Sequence, residues 1–151
     1  MKTAIITGSS SGVGKELTQL LLNEGWFVYG ISRSNKITHD LFVHNSVDLS
    51  DIKNIKNYEF PSICCDEILL VNSAATLGNI VPFDKKDNDN LLAEINCNLI
   101  SPIILFNKFI KKLIMLKKLY LASAQELLQN QYIAGRLIVF QNQALNCYHK
   151  F

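Results

Sequence analysis

The sequence predicts an α/β fold, a doubly wound parallel sheet that is incomplete at about four strands, and three observations predict it. Short apolar runs of strand length recur in the first two-thirds of the chain, at Ala4-Ile5-Ile6, Phe27-Val28-Tyr29 and Ile68-Leu69-Leu70-Val71. Such continuous runs suit strands buried on both faces, as in a parallel sheet. Stretches of helical period separate them, which is the alternation of a doubly wound fold. A glycine-rich turn, Thr7-Gly8-Ser9-Ser10-Ser11-Gly12-Val13-Gly14, joins the first strand to the first helix.

The elements follow in order. Residues 2–6 form the first strand. Residues 13–23 place Leu17, Leu20, Leu21 and Leu22 at helical spacing, and Gly25 ends that helix as a cap. Residues 26–31 form the second strand, which runs into Ser32-Arg33-Ser34. Residues 41–43 with Val47 make a short third strand that ends at Asp48-Leu49-Ser50-Asp51. Ser50 is positioned to cap a weak helix through Asn57, and Pro61 breaks it. Residues 67–71 form the fourth strand, leading into Asn72-Ser73-Ala74-Ala75. After a polar loop with Gly78 and Pro82, Leu91, Leu92, Ile95, Leu99 and Ile103 line one face of a long helix. Pro102 either kinks that helix or marks its mid-point.

A chain of 151 residues is one domain with room for a real core. A net charge of +2 without any long basic block argues against nucleic acid. No run approaches the ~18 apolar residues of a membrane span, and the amino end has no signal-peptide pattern. Cys64, Cys65, Cys97 and Cys147 show no C-x-x-C spacing. The adjacent pair suits neither an ordinary disulfide nor a zinc site. Reduced thiols, a cytoplasmic protein and no metal centre are the expectation.

The glycine turn carries the chemistry. Gly8 allows a tight exit from the strand, Gly12 lets the backbone approach a phosphate, and Gly14 lets the helix sit close on the strand. The helix start presents unpaired N–H groups and a positive dipole end to that phosphate. A P-loop does not fit, because Ser9 stands where its first glycine belongs and Glu16 where its magnesium-binding hydroxyl belongs. A purely structural turn remains the bland alternative.

Thr7-Gly8-x-x-x-Gly12-x-Gly14 resembles the cofactor motif of the short-chain dehydrogenase/reductase family, whose Rossmann-type sheet is the fold described above. The resemblance covers roughly residues 1–112 and implies a nicotinamide dinucleotide held by Gly8, Ser10, Ser11, Gly12, Val13 and Gly14. Arg33 stands where the family reads the adenosine ribose. An acidic residue there would bond the 2′-hydroxyl, whereas arginine fits a 2′-phosphate, so NADP is favoured over NAD. A solvated arginine is the alternative. Asp48-Leu49 matches the family's adenine-contacting pair, with a turn or helix cap as the other reading of Asp48. Asn72-Ser73-Ala74-Ala75 departs at two positions from the family's Asn-Asn-Ala-Gly, and Asn72 and Ala74 are implied cofactor contacts. Asn98 matches the asparagine that supports the family's proton relay, the one catalytic candidate, or is a polar helix residue bonded to its own backbone. Thr76 to Ile80 and Asn98 to Pro102 look like the sepiapterin reductase and benzil reductase branch. The resemblance further implies a small carbonyl substrate and homo-oligomers.

The pattern then stops. The family's chemistry needs a serine and a Tyr-x-x-x-Lys pair beyond the fifth strand, the tyrosine as general acid and the lysine one turn on to lower its pKa. The nearest approach here is Tyr132-x-x-x-Arg136, and residues 113–151 hold no Ser-Ser-Gly element. Residues 113–151 read as a helical tail foreign to the family. Reading the third base of each codon with the first two of the next permits Ser-Gly-Ala-Ala from Ala124/Gln125, and Trp-Ser-Ala-Tyr-Cys-x-Ser-Lys from Ala134/Gly135. The expectation is a one-base slip near Lys111-Lys112, whose codons are a run of adenines. It divides the chain into a nucleotide-binding half-domain, 1–112, and a frameshifted tail, 113–151. Such a chain should lack turnover, bind cofactor weakly, dissolve poorly and leave the fourth strand as a bare edge. The alternative is a non-catalytic nucleotide-binding or regulatory protein on the same half-fold.

Overall fold

The computed structural model describes residues 1–113 and 119–123. The strands are β1 (Lys2–Thr7), β2 (Phe27–Ser32), β3 (Phe42–Ser46), β4 (Glu67–Asn72) and β5 (Leu119–Ser123). They form one sheet in the order β3-β2-β1-β4-β5, and every pairing is parallel. The helices are α1 (Gly12–Asn23), α2 (Ile52–Asn57), α3 (Asn88–Ile95) and α4 (Ser101–Leu113).

Alternation along the central strands builds a core on each face. Ala4, Ile6, Leu69 and Val71 point to one side and pack with Leu21, Leu22 and Trp26 beneath α1. Ile5, Ile68 and Leu70 point to the other and pack with Ile55, Leu105 and Phe109 from α2 and α4. Phe60 and Phe109 meet edge to face with centroids 5.7 Å apart. Each is fully buried, which contributes about 1.5–3 kcal/mol apiece. Lys108 extends from α4 to donate to the carbonyls of Lys56 and Tyr58 at 2.6 and 2.7 Å, closing the open end of α2. The doubly wound parallel sheet of the sequence reading is therefore present, with β1 and β4 at its centre.

Two details differ from expectation, and a third decides between two alternatives. First, β4 is not a bare edge: β5 pairs with it from Ile68↔Leu119 to Asn72↔Ser123, giving five strands among the described residues. The Leu119–Ser123 run is short and apolar, and periodicity alone does not separate a buried strand from a helical stretch of that length. The rest of the expected helical tail, residues 114–118 and 124–151, lies outside the described residues. Second, Asp51 caps α2 by accepting from the Lys53 N–H at 2.8 Å, because Ser50 is engaged by Asp48. Third, of the kink and the mid-point expected at Pro102, the mid-point describes it: the proline stands near the middle of the helical run from Asn88 to Leu113. A π-helical turn, Asn96–Ile100, joins α3 to α4 just before it. Proline lacks an N–H and crowds the carbonyl four residues back, and one wider turn accommodates both.

Candidate cofactor cleft

The sheet order reverses between β1 and its neighbours β2 and β4, so the crevice opens at the carboxyl ends of these strands. Thr7 closes β1 and fastens the crevice floor. Its hydroxyl donates to Asn72 Oδ1 at 2.9 Å and accepts from the Ser73 and Ala74 N–H groups, both at 3.1 Å. Gly8 follows at φ +73°, and its N–H donates to the Ile31 carbonyl at 2.8 Å. A Cβ on Gly8 would sit 2.8 Å from Ala74 Cα, so the two turns meet backbone to backbone. A Cβ on Gly14 would press into the Gly8 carbonyl and lie 2.9 Å from Ser73 Oγ. Gly14 thus seats α1 against the turn.

Around Gly12, by contrast, a Cβ would meet nothing within 4 Å. Ser11 enters α1 in extended backbone at φ −156°, and its hydroxyl makes no capping bond. The first N–H groups of α1 have no carbonyl one turn earlier to bond, and they sit at the positive end of the dipole. Open space and free donors together fit a phosphate.

The other end of the crevice lies beyond β2 and β3. Asp48 Oδ1 accepts from the Ser50 N–H at 2.9 Å and its hydroxyl at 2.7 Å. Burial opposes ionisation of Asp48, but the two bonds from Ser50 and the nearby Arg33 charge outweigh it and hold the carboxyl below the usual carboxylate range. The long helix braces this turn: Ser101 Oγ donates to the Leu49 carbonyl at 2.6 Å, and Asn96 Nδ2 to the Ser50 carbonyl at 3.2 Å.

A cavity of about 620 Å³ joins these parts, a size suited to a small-molecule or cofactor cleft. Of the residues singled out from the sequence, Gly8, Ser10, Ser11, Gly12, Val13, Arg33, Asp48, Leu49 and Ala74 line it. Leu49 does so with only 5% of its surface exposed, its side chain belonging to the core. Gly14 stands behind the lining, and Asn72 turns to Thr7. Asn98, in the π-helical turn, grips Thr76 at two points, accepting from its N–H at 2.8 Å and donating to its carbonyl at 2.7 Å. It bonds the loop after β4, not its own helix.

Several contributors escaped the sequence reading. Thr7 is a hub whose signal, a hydroxyl at the strand end, is faint. Gly30 in β2 leaves room for Ser9, since a Cβ there would press on the Ser9 hydroxyl and lie 2.6 Å from the Phe42 ring. Cys97 lines the cleft, and burial pushes its thiol pKa up, which makes it a poor nucleophile. Ser123 ends β5 opposite Asn72, at the same carboxyl edge.

Known proteins resemble this chain in sequence and in fold. A family model described as short chain dehydrogenase matches residues 2–119. A benzil reductase ((S)-benzoin forming) of Bacillus cereus is 32% identical over 125 residues, covering 74% of this chain and 50% of the relative. The chain spans about half the length of the curated relatives it matches. Among solved structures, a short-chain dehydrogenase/reductase from Burkholderia vietnamiensis superposes with a TM-score of 0.72 at 22% identity, covering 81% of this chain and 62% of that one. The closed form of a serine dehydrogenase complexed with NADP+ gives 0.68 at 16% identity, over 80% and 52% of the two chains. A short chain dehydrogenase from Leptospira borgpetersenii serovar Hardjo-bovis with bound NAD+ gives 0.61 at 20% identity, over 74% and 46%. These structural likenesses are of fold. With the family model matched across most of its length, this chain belongs to the short chain dehydrogenase family.

Proposed function

We propose that this chain is the cofactor-binding part of an NADP-dependent carbonyl reductase. The observation that carries the cofactor choice is Arg33, which lines the cleft just past the end of β2. When bound, the cofactor supplies a hydride to a carbonyl carbon. The chain's own residues bind and orient it: the first turn of α1 takes the pyrophosphate, Asp48 and Leu49 the adenine, and Ala74 the passing ribose. Arg33 takes the 2′-phosphate. A charge-assisted contact there is worth about 1.5–3 kcal/mol, or roughly 10–100-fold in favour of NADPH. Asn98 holds Thr76 and through it the loop above the reacting end. The likeness to a benzil reductase supports a small ketone or diketone as substrate of an intact parent.

Turnover by this exact chain is not part of the proposal. No Tyr-x-x-x-Lys occurs anywhere in the sequence, and arginine in Tyr132-x-x-x-Arg136 does not replace a lysine that relays protons. A reading-frame slip near Lys111-Lys112, with the pair hidden in the alternative frame, accounts for that loss. The missing pair also favours a second reading, a nucleotide-binding or regulatory protein without catalysis. Titration of the purified chain with NADPH and NADH by nucleotide fluorescence, together with a carbonyl-reduction assay, tests both. Tighter binding of NADPH, abolished as a preference by Arg33→Ala, supports the cofactor assignment. Equal affinity for the two nucleotides, or an Arg33→Ala variant with unchanged preference, overturns it. Measurable reduction by this chain refutes its inactivity, and tight binding by a soluble, inactive, partner-bound chain favours the second reading.

A further inference from the structure

The turn that carries Arg33 is fastened from the neighbouring strand. His44 in β3 brings Nε2 to 3.0 Å from the Ser32 carbonyl and 3.1 Å from Ser32 Oγ. A carbonyl only accepts, so Nε2 carries the proton and donates to it. Ser32 Oγ spends its own proton on the Ser34 carbonyl at 2.8 Å, which fastens the turn from its other side. Two more donors of the same segment join in: the Val47 N–H reaches the Ser32 carbonyl at 3.2 Å, and Ser46 Oγ reaches the Arg33 carbonyl at 3.4 Å. In the ladder His44 pairs with Gly30, which has no side chain to stand between the imidazole and Ser32. The peptides before and after Arg33 are thus both gripped from β3.

We infer that His44 is a positioning residue for cofactor choice: its Nε2–H fixes the Ser32-Arg33-Ser34 turn in the arrangement that presents Arg33 to a phosphate on the adenosine ribose. The inference rests on the NADP assignment above. Its chemistry distinguishes it from general support of the sheet. Support of the sheet would affect both nucleotides alike, because both share the adenine, the ribose and the pyrophosphate. A fault in the Arg33 turn affects the nucleotide with the extra phosphate.

The test is the ratio of NADPH to NADH affinity, measured by titration in wild type, His44→Phe, His44→Asn, His44→Gln and Arg33→Ala. Phenylalanine keeps the ring without the donor, and asparagine is too short to reach. Both should lower the ratio by roughly tenfold, the worth of one hydrogen bond, with NADH affinity held. Glutamine places an N–H near the Nε2 position and should restore the ratio. Equal loss for both nucleotides, an unchanged ratio in His44→Phe and His44→Asn, or a ratio that glutamine does not restore overturns the role of His44. If Arg33→Ala loses the NADPH preference while the His44 variants keep it, only the His44 inference fails. If Arg33→Ala keeps the preference, the NADP assignment fails and this inference falls with it.

Discussion

Gly14→Ala separates a glycine needed for packing from one placed by chance. The new Cβ would lie 2.9 Å from both the Gly8 carbonyl carbon and Ser73 Oγ, and closer still to the Gly8 oxygen. Ordinary contact begins near 3.4 Å, so something must yield by more than half an ångström. Gly8 has little room to retreat, because its N–H is bonded to the Ile31 carbonyl and even a Cβ on it would lie 2.8 Å from Ala74 Cα. The helix must lift instead, against the buried Thr18, Leu21 and Leu22. Overpacking of this kind costs about 1–3 kcal/mol, and the better helix propensity of alanine returns about 0.5–1 kcal/mol. The net loss of about 0.5–2 kcal/mol lowers Tm by a few degrees. The effect on the cleft is larger in proportion, since the lifted helix is the one whose N-terminus we propose to meet the phosphate. We expect NADPH affinity to fall tenfold or more. Gly25→Ala is the control: at φ +78° with nothing within 4 Å, alanine there costs about 1–2 kcal/mol in strain far from the cleft. Thermal melts and nucleotide titration of both variants decide the matter. A Gly14→Ala protein that binds NADPH like wild type, or no worse than Gly25→Ala, refutes the reasoning.

Thr7→Val keeps the shape and removes the hub, leaving the Ser73 and Ala74 N–H groups and Asn72 Oδ1 without their partner. We expect a loss of about 2 kcal/mol in urea unfolding, largely recovered in Thr7→Ser. Ser101→Ala deprives the buried Leu49 carbonyl of its bond from α4 and should cost about 1–2 kcal/mol by the same measurement. Tyr58 carries a buried hydroxyl without a partner among the described residues, and burial beside Tyr29 pushes its pKa up to about 12. The folded state keeps that proton while the unfolded chain loses it near pH 10. The associated stability is therefore whole below pH ~10 and drains away as the pH rises to about 12. Tyr58→Phe should raise stability at neutral pH by about 1 kcal/mol and flatten that alkaline limb, as read by urea melts from pH 7 to 12.

The central strands were legible because burial on both faces leaves an unmistakable trace, an apolar run such as Ile68-Leu69-Leu70-Val71 bounded by polar residues. The glycine turn was legible because sterics permit few other residues at Gly8 and Gly14. What stayed hidden depends on partners far away in the chain. Nothing local to Thr7 announces bonds to Ser73 and Ala74, and nothing local to His44 announces Ser32. Ser50 and Asp51 are both good cap residues, and here the competition is local: Asp48, two residues before Ser50, engages it and leaves the cap to Asp51. The π-helical turn before Pro102 resolves a conflict that sequence only poses. Leu92, Ile95, Leu99 and Ile103 lie exposed, and it is the burial of Leu105 and Phe109 beyond the proline that holds the continued helix on the core.

The fifth strand bears on the proposed slip, and less than it first suggests. A run that pairs in register with β4 through Ser123 looks like coding sequence in its proper frame. Yet the junction of the Leu119 and Tyr120 codons, read one frame over, ends in the tyrosine's TA and can specify only Ile, Leu or Val. The Lys118/Leu119 junction permits Ile or Val. A leucine or tyrosine codon that begins with thymine places it at the centre of the shifted codon, where thymine specifies an apolar residue, so the other frame can also encode a short apolar run here. The frames part company only where polar chemistry is needed. The Gln141/Asn142 junction allows Lys or Glu alone, and the present frame offers no lysine there. Restoring a single base near codons 111–112 should therefore leave the sheet as it stands and add carbonyl reduction with NADPH. A restored gene whose product has the same sheet and binds NADPH but never turns over would refute the slip as the cause of the missing chemistry.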